Sequence, residues 1–157
     1  MKKEIKLISS DELIKALDLA WDVFCETAAH DCTKEGIEEF WKSVDHEYMI
    51  FRAGDGACRV YGAFADDELI GMCVIRDTSF IEMVFVVPEA QKKGVGSALI
   101  KKAVMDAKKA DELVTRVTVN SFRSAYGFFE KLGFTPVCAE ETADGITYTT
   151  MAAEAKS

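Results

Sequence analysis

Leu13, Leu17, Ala20, Trp21 and Phe24 return at intervals of three and four residues, the spacing that gathers apolar side chains on one face of a helix. Ser9, with Glu12 three residues on, has the form of a capping box ahead of that run. The pattern predicts a first amphipathic helix over residues 10–28. After Thr33 the same period sets Ile37, Phe40, Trp41 and Val44 on one face and Glu38, Glu39, Lys42 and Asp45 on the other. This second helix follows the short connection "HDCT".

The period then drops to two. "EYMIFRA", "CRVYGAFA", "ELIGMCVIR" and "SFIEMVFVV" read as four strands parted by "GDGA", "DDE" and "DTS", and turns that short imply antiparallel hairpins. In the fourth run, alternation places Glu82, Val84 and Val86 on one face and Ile81, Met83 and Phe85 on the other. From Val95 the helical period returns, with Leu99, Ile100, Ala103, Ala107 and Ala110 inward and Lys101, Lys102, Asp106, Lys108 and Lys109 outward. "LVTRVTVN" follows as a strand, then a short helical segment through Lys131, Gly133 as its stop, and two strand candidates, "FTPVCAE" and "GITYTTM". A strand, a long helix and a further strand form a crossover whose two strands are parallel neighbours. The expected fold is therefore α/β (α+β): one central mixed, mostly antiparallel sheet flanked by helices on both faces.

A length of 157 residues, 49% of them hydrophobic, suits one domain with a sizeable core, spanning residues 1–157. Lysine and arginine number 19 against 27 acids, for a net charge of -8, which disfavours nucleic acid as a partner. The same charge could draw a cationic substrate or serve only solubility. "MKKEIKLISSDEL" lacks a signal-peptide apolar run, and nowhere does a membrane-length apolar stretch occur. No membrane partner and a cytoplasmic location are expected. The five cysteines, Cys25, Cys32, Cys58, Cys73 and Cys138, form no CxxC pair and are expected as small core residues, with no metal bound.

The candidate chemistry lies in "VFVVPEAQKKGVGSALIKKAV". Two glycines, Gly94 and Gly96, stand where a strand becomes a helix, so backbone amides and the positive end of the helix dipole can converge on an anion. Lys92 and Lys93 add charge, and the ligand suggested is a phosphate or pyrophosphate; a plain turn with solvated lysines satisfies the same residues. Position 99 is Leu99 where a dinucleotide fingerprint needs its third glycine, and no GK[ST] follows the loop.

"VFVVPEAQKKGVGSALI" resembles the signature of the GCN5-related N-acetyltransferases, [QR]xxGx[GA] after a strand. "VTVNSFRSAYGFFEKLGF" resembles that family's second signature, and the one helix and one strand between them match its spacing. The resemblance implies acetyl-CoA as acetyl donor and a small-molecule amine as acceptor. It implies that the pyrophosphate rests on the amides of Gln91, Lys92, Lys93, Gly94, Val95, Gly96 and Ser97, and that the pantetheine arm lies along Val84, Phe85 and Val86 like an added strand. It further implies that Asn120 caps the pantetheine amides, that Phe129 lies beside the cofactor, and that two chains can pair as a homodimer.

Acetyl transfer needs a base for the amine, an organised carbonyl and a proton for the leaving thiolate. Glu82 is the one carboxylate in its apolar strand and the candidate base; a solvent-facing or structural place beside a cation such as Arg76 is the alternative. The Val84 amide is placed by the resemblance at the thioester carbonyl. Many family members carry a tyrosine just before the "EK" of the second signature, as proton donor to the sulfur. Here that residue is Phe129, and Tyr126, three residues earlier, stands in as the candidate acid unless it merely packs. A non-catalytic acyl-CoA-binding module is the competing reading. Trp21, Phe24, Phe40 and Trp41 are expected in the core rather than as acceptor-pocket walls, and His30 and His46 on loops or the surface.

Overall fold

The computed structural model describes residues 2–77 and 79–155. The chain runs β1 (Lys3–Leu7), α1 (Ser10–Glu26), α2 (Lys34–Ser43), α3 (His46–Gly54), β2 (Cys58–Ala65), β3 (Glu68–Arg76), β4 (Phe80–Val86), α4 (Val95–Ala110), β5 (Arg116–Ser121), α5 (Tyr126–Lys131), β6 (Thr135–Pro136), β7 (Glu141–Ala143) and β8 (Ile146–Glu154). The sheet order is β1-β2-β3-β4-β5-β8-β6, with β7 paired to β8 alone. Among the described residues only β4 and β5 run parallel, joined through α4; the other pairs are antiparallel. The mixed sheet expected from the pattern is the one observed.

Two apolar layers hold helices to the two faces. On one, α4 and α5 bring Val95, Leu99, Ala103 and Phe129 against Tyr61, Cys73, Ile81 and Val119. On the other, α1 to α3 bring Leu17, Phe24, Phe40 and Met49 against Val60, Met72, Val74, Met83 and Phe85.

Helix α1 buries Leu13, Leu17 and Phe24 as its periodicity requires. Its cap differs from expectation: Ser9 occupies the N-cap position without capping a backbone amide, and its hydroxyl instead donates to Glu12 Oε1 at 3.4 Å. In α2 the Thr33 hydroxyl does cap, accepting from the Gly36 amide at 3.2 Å.

"EYMIFRA" is a helix, not the strand its apolar run suggested. The Asp45 carboxylate accepts the Tyr48 amide at 3.0 Å and closes the first turn of α3. Met49 is then fully buried, while Ile50 and Phe51, which a buried strand would have enclosed, face solvent. Short apolar runs carry too few turns for periodicity to separate helix from strand, and here the cap and tertiary contacts decide.

The polar segment Lys3–Leu7 adds an edge strand, β1, pairing Ile5 with Ala63; only Ile5 in it is even half-buried, which leaves almost no alternation to read. "FTPVCAE" forms a strand only at Thr135 and Pro136, with the next amide, of Val137, donating to the Thr150 carbonyl of β8 at 2.8 Å, while "GITYTTM" extends into the nine-residue β8. Gly133, at φ +95°, ends α5 as expected.

A bulge in β4 overturns the expected alternation. Val74 pairs with Met83 and Ile75 with Ile81, so Glu82 is the unmatched residue. As a result Ile81 packs with the α4 face, together with Val84 and Val86, whereas Met83 and Phe85 pack with the α1 face.

Candidate active site

β4 and β5 are paired only at Phe80–Thr118 and Ile81–Val119; beyond these they part, leaving a wedge with its apex at Glu82. The Val87 amide donates to the Ile70 carbonyl at 2.9 Å. In an antiparallel ladder bonding alternates, so Phe85 and Met83 turn their main-chain groups to β3, and Val84 and Val86 turn theirs into the wedge. Phe85 thus has both its main chain and its buried ring committed to the fold. Val84 and Val86 offer a ladder edge without a partner strand, shaped for an extended amide-bearing ligand. In this structure the Val86 carbonyl accepts the Gln91 side-chain amide at 2.9 Å.

The loop after β4 delivers the start of α4 to the mouth of the wedge. Lys92 has φ +63° and Gly94 φ +83°, a left-handed pair that reverses the chain into the helix; Gly94 is the N-cap and no side chain caps it. The amides of Val95, Gly96 and Ser97 precede the first intrahelical bond, from Ala98 N–H to the Gly94 carbonyl. Lys92 and Lys93 are exposed and make no ion pair among the described residues. Uncapped amides, the dipole of a 16-residue helix and two free ammonium groups all favour an anion here. Gly96 serves packing as well: a Cβ there would lie 2.9 Å from the Phe128 ring. A groove of about 990 Å³ follows α4 from Ser97 through Lys101 to Lys108, bounded by Leu132 and Phe134 and by Arg116 and Glu154 of β5 and β8.

At the apex, the Glu82 carboxylate is gripped by Arg52 from α3, with Nη1 to Oε1 at 2.8 Å and Nη2 to Oε2 at 2.7 Å. Arg76 Nε lies 3.7 Å from the same carboxylate. The side chains of Arg52 and Glu82 are 12% and 17% exposed, so this is a bidentate pair shielded from most of the solvent. Its hydrogen bond to Glu82 holds the Arg52 guanidinium above the ordinary arginine range. Arg76, the cation named from sequence, is the lesser partner. Read as a strand, "EYMIFRA" hides Arg52; helical spacing sets Met49, Arg52 and Ala53 on one face.

Asn120 sits on β5 one residue past the last β4 pairing, exposed, with Oδ1 accepting the Thr150 hydroxyl at 2.8 Å. Phe129 is buried, edge-on to Phe128 and Phe134 at 5.0 and 5.3 Å. Tyr126 opens α5 half-buried, and among the described residues no hydrogen bond engages its hydroxyl.

On the α1 side, Phe24 and Phe40 stack at 3.9 Å, and Phe122, just past β5, tilts against Phe24 at 5.7 Å. Phe24 and Phe40 are core residues, as expected. Trp41 is not: it is 58% exposed and meets Trp21 edge-on at 4.7 Å. His46 pairs with Asp18 at the surface, and His30 is exposed. Among the described residues no group of three His, Cys, Asp or Glu is placed to hold a metal. Cys58 and Cys73 are buried, the latter with its thiol pushed up to about 12 by burial, but Cys25 and Cys138 are exposed. Cys25 lies on the solvent face of α1 and Cys138 in the exposed segment after β6, with Cys32 half-buried, which corrects the expectation of five core cysteines.

Residues 28–155 match the family model for an acetyltransferase (GNAT) domain. The whole chain also superposes on solved structures. A GCN5-related N-acetyltransferase from Rhodopseudomonas palustris has a TM-score of 0.79 at 20% identity, covering 98% of this chain and 96% of that one. The PaiA N-acetyltransferase from Thermoplasma acidophilum, solved with coenzyme A, has a TM-score of 0.78 at 24% identity, covering 98% and 99%. The ribosomal-protein-S18-alanine N-acetyltransferase from Escherichia coli has a TM-score of 0.68 at 14% identity, covering 99% and 96%.

Proposed function

Since the chain belongs to the GNAT acetyltransferase domain family, we propose that it transfers the acetyl group of acetyl-CoA to a primary amine of a small molecule. The observation that carries this reading is the wedge: an unpaired ladder edge at Val84 and Val86 leads straight to an uncapped helix start at Gly94. An extended arm with two amides and a pyrophosphate at one end matches both features in order. The amides of residues 91–97 hold the pyrophosphate, Val84 and Val86 pair with the pantetheine, and Asn120 faces the arm from β5. The groove beyond Ser97 gives the nucleotide end room.

The thioester then lies near the Val84 amide, which polarises its carbonyl. Glu82 takes a proton from the ammonium form of the amine, directly or through one water, and the lone pair so freed forms the C–N bond, the nitrogen then shedding its second proton to water. The C–S bond breaks with its electron pair on sulfur, and the thiolate takes a proton from Tyr126 or from water. Phe129 has no proton to give.

Calorimetric titration with acetyl-CoA, CoA, ATP and NAD tests the ligand, and thiol release in the presence of amines tests the reaction. Selective binding of the CoA species with amine-dependent release is the expected result. Tighter binding of ATP or NAD would refute the ligand. Binding without release across a broad amine panel would favour a non-catalytic acyl-CoA module, the reading that Phe129 supports.

A further inference from the structure

Glu82 stands on a bulge, where the ladder no longer fixes the direction of a side chain. Something else must aim it. Arg52 does so from α3, on the same side of the sheet as α1: α3 is capped by Asp45 and pinned by the fully buried Met49. One turn on, the guanidinium meets both Glu82 oxygens, with Nη1 also 3.3 Å from Met49 Sδ and the Tyr48 ring 5.3 Å away. A planar fork bonded to both oxygens fixes the plane of the carboxylate as well as its position. Each oxygen keeps a second lone pair. Arg76 is less suited to this work, because it approaches one oxygen at 3.7 Å and is also bound to Asp77 at 2.8 Å.

We propose that Arg52 is a positioning residue for acetyl transfer, a guanidinium fork that holds the Glu82 carboxylate in one orientation at the apex of the β4–β5 wedge. The unoccupied lone pairs of Glu82 are thereby aimed for the amine proton or for the water that relays it. This rests on the reading of Glu82 as the base. Arg52 touches neither substrate nor cofactor and gives up no proton; the N–H proton ends on a Glu82 oxygen and later returns to solvent.

The test compares two nucleophiles near neutral pH: propylamine, which must lose a proton to attack, and hydroxylamine, which is already neutral. Thiol release from acetyl-CoA is followed for the wild type, Arg52→Lys, Arg52→Gln, Glu82→Gln and the Arg52→Gln/Glu82→Gln pair, with CoA affinity measured by calorimetry. The ratio of propylamine to hydroxylamine turnover is expected to fall about tenfold or more in both Arg52 variants, within the roughly 10²–10⁴ that general-base catalysis supplies. CoA affinity should hold, and the double variant should be no worse than Glu82→Gln, since the two residues act as one unit.

A merely structural Arg52 would lower both rates together and leave the ratio unchanged, which overturns the proposal. So would a double variant whose loss is the product of the single losses. An unchanged ratio in Glu82→Gln removes the base reading beneath the proposal. A wild type that binds acetyl-CoA but acetylates neither nucleophile overturns acetyl transfer itself, and the role of Arg52 with it.

Discussion

Gly36, in the first turn of α2, and Gly145, in the turn between β7 and β8, pack main chain against main chain with no room for a methyl group on either. The Thr33 amide donates to the Gly145 carbonyl at 3.0 Å beside this contact. Helix α2 is thus fastened to the β7–β8 hairpin. A Cβ at Gly36 would collide with the Gly145 carbonyl, and neither partner is a flexible side chain that could yield. Gly36→Ala should cost about 1–3 kcal/mol by overpacking, read as a lower midpoint in urea. Gly127→Ala, inside α5 with nothing near its Cβ, should be neutral or stabilising by up to about 1 kcal/mol. Equal effects at the two sites would show that α2 gives way easily.

Gly94→Asp places a carboxylate where the amides of α4 face the mouth of the wedge, in a left-handed conformation that aspartate tolerates better than most residues. The fold should survive and CoA affinity should drop by about tenfold or more, the scale of charge interactions at a helix terminus. Calorimetry reads this directly, and unchanged affinity would remove the pyrophosphate from this loop.

Tyr126 is half-buried, and among the described residues no hydrogen bond engages its hydroxyl. If it protonates the thiolate, Tyr126→Phe should reduce kcat by about a hundredfold, the lower range for general-acid catalysis, while the affinity for CoA stays as it is. A kcat within about twofold of wild type would assign the proton to water.

Arg123, just past β5, grips Glu140 with two bonds of 2.8 and 2.6 Å and lies 3.8 Å from Asp31. Its guanidinium holds the Glu140 carboxyl below the ordinary glutamate value of 4.5. A depressed folded value means that the contribution to stability is complete above 4.5 and is lost as pH falls through the folded value. The difference in thermal midpoint between wild type and Glu140→Gln should therefore appear at neutral pH and vanish in acid. Because the pair is exposed, high salt should shrink it too. A difference that persists in acid would locate the effect elsewhere than in the charge.

Whatever depends on local period and local backbone chemistry is legible along the chain alone. The long repeats of α1 and α4, the apolar runs of β2 and β3 between short turns, and the glycine loop before α4 each contain enough turns, strand positions or special residues for one conformation to win. The order strand, helix, strand fixed the parallel β4–β5 pair through the handedness and length of a crossover. Where a segment is short, or its face is set by a distant partner, contacts from elsewhere in the fold choose the conformation. The Asp45 cap and the burial of Met49 made α3 helical. β1 exists because an edge was left open beside β2. The face that Glu82 presents was decided by one unmatched residue in β4, since a bulge reverses alternation without leaving any mark in composition. Its partner Arg52 lies thirty residues away, and no spacing rule connects a residue on a helix to one on a strand until the sheet brings the two together.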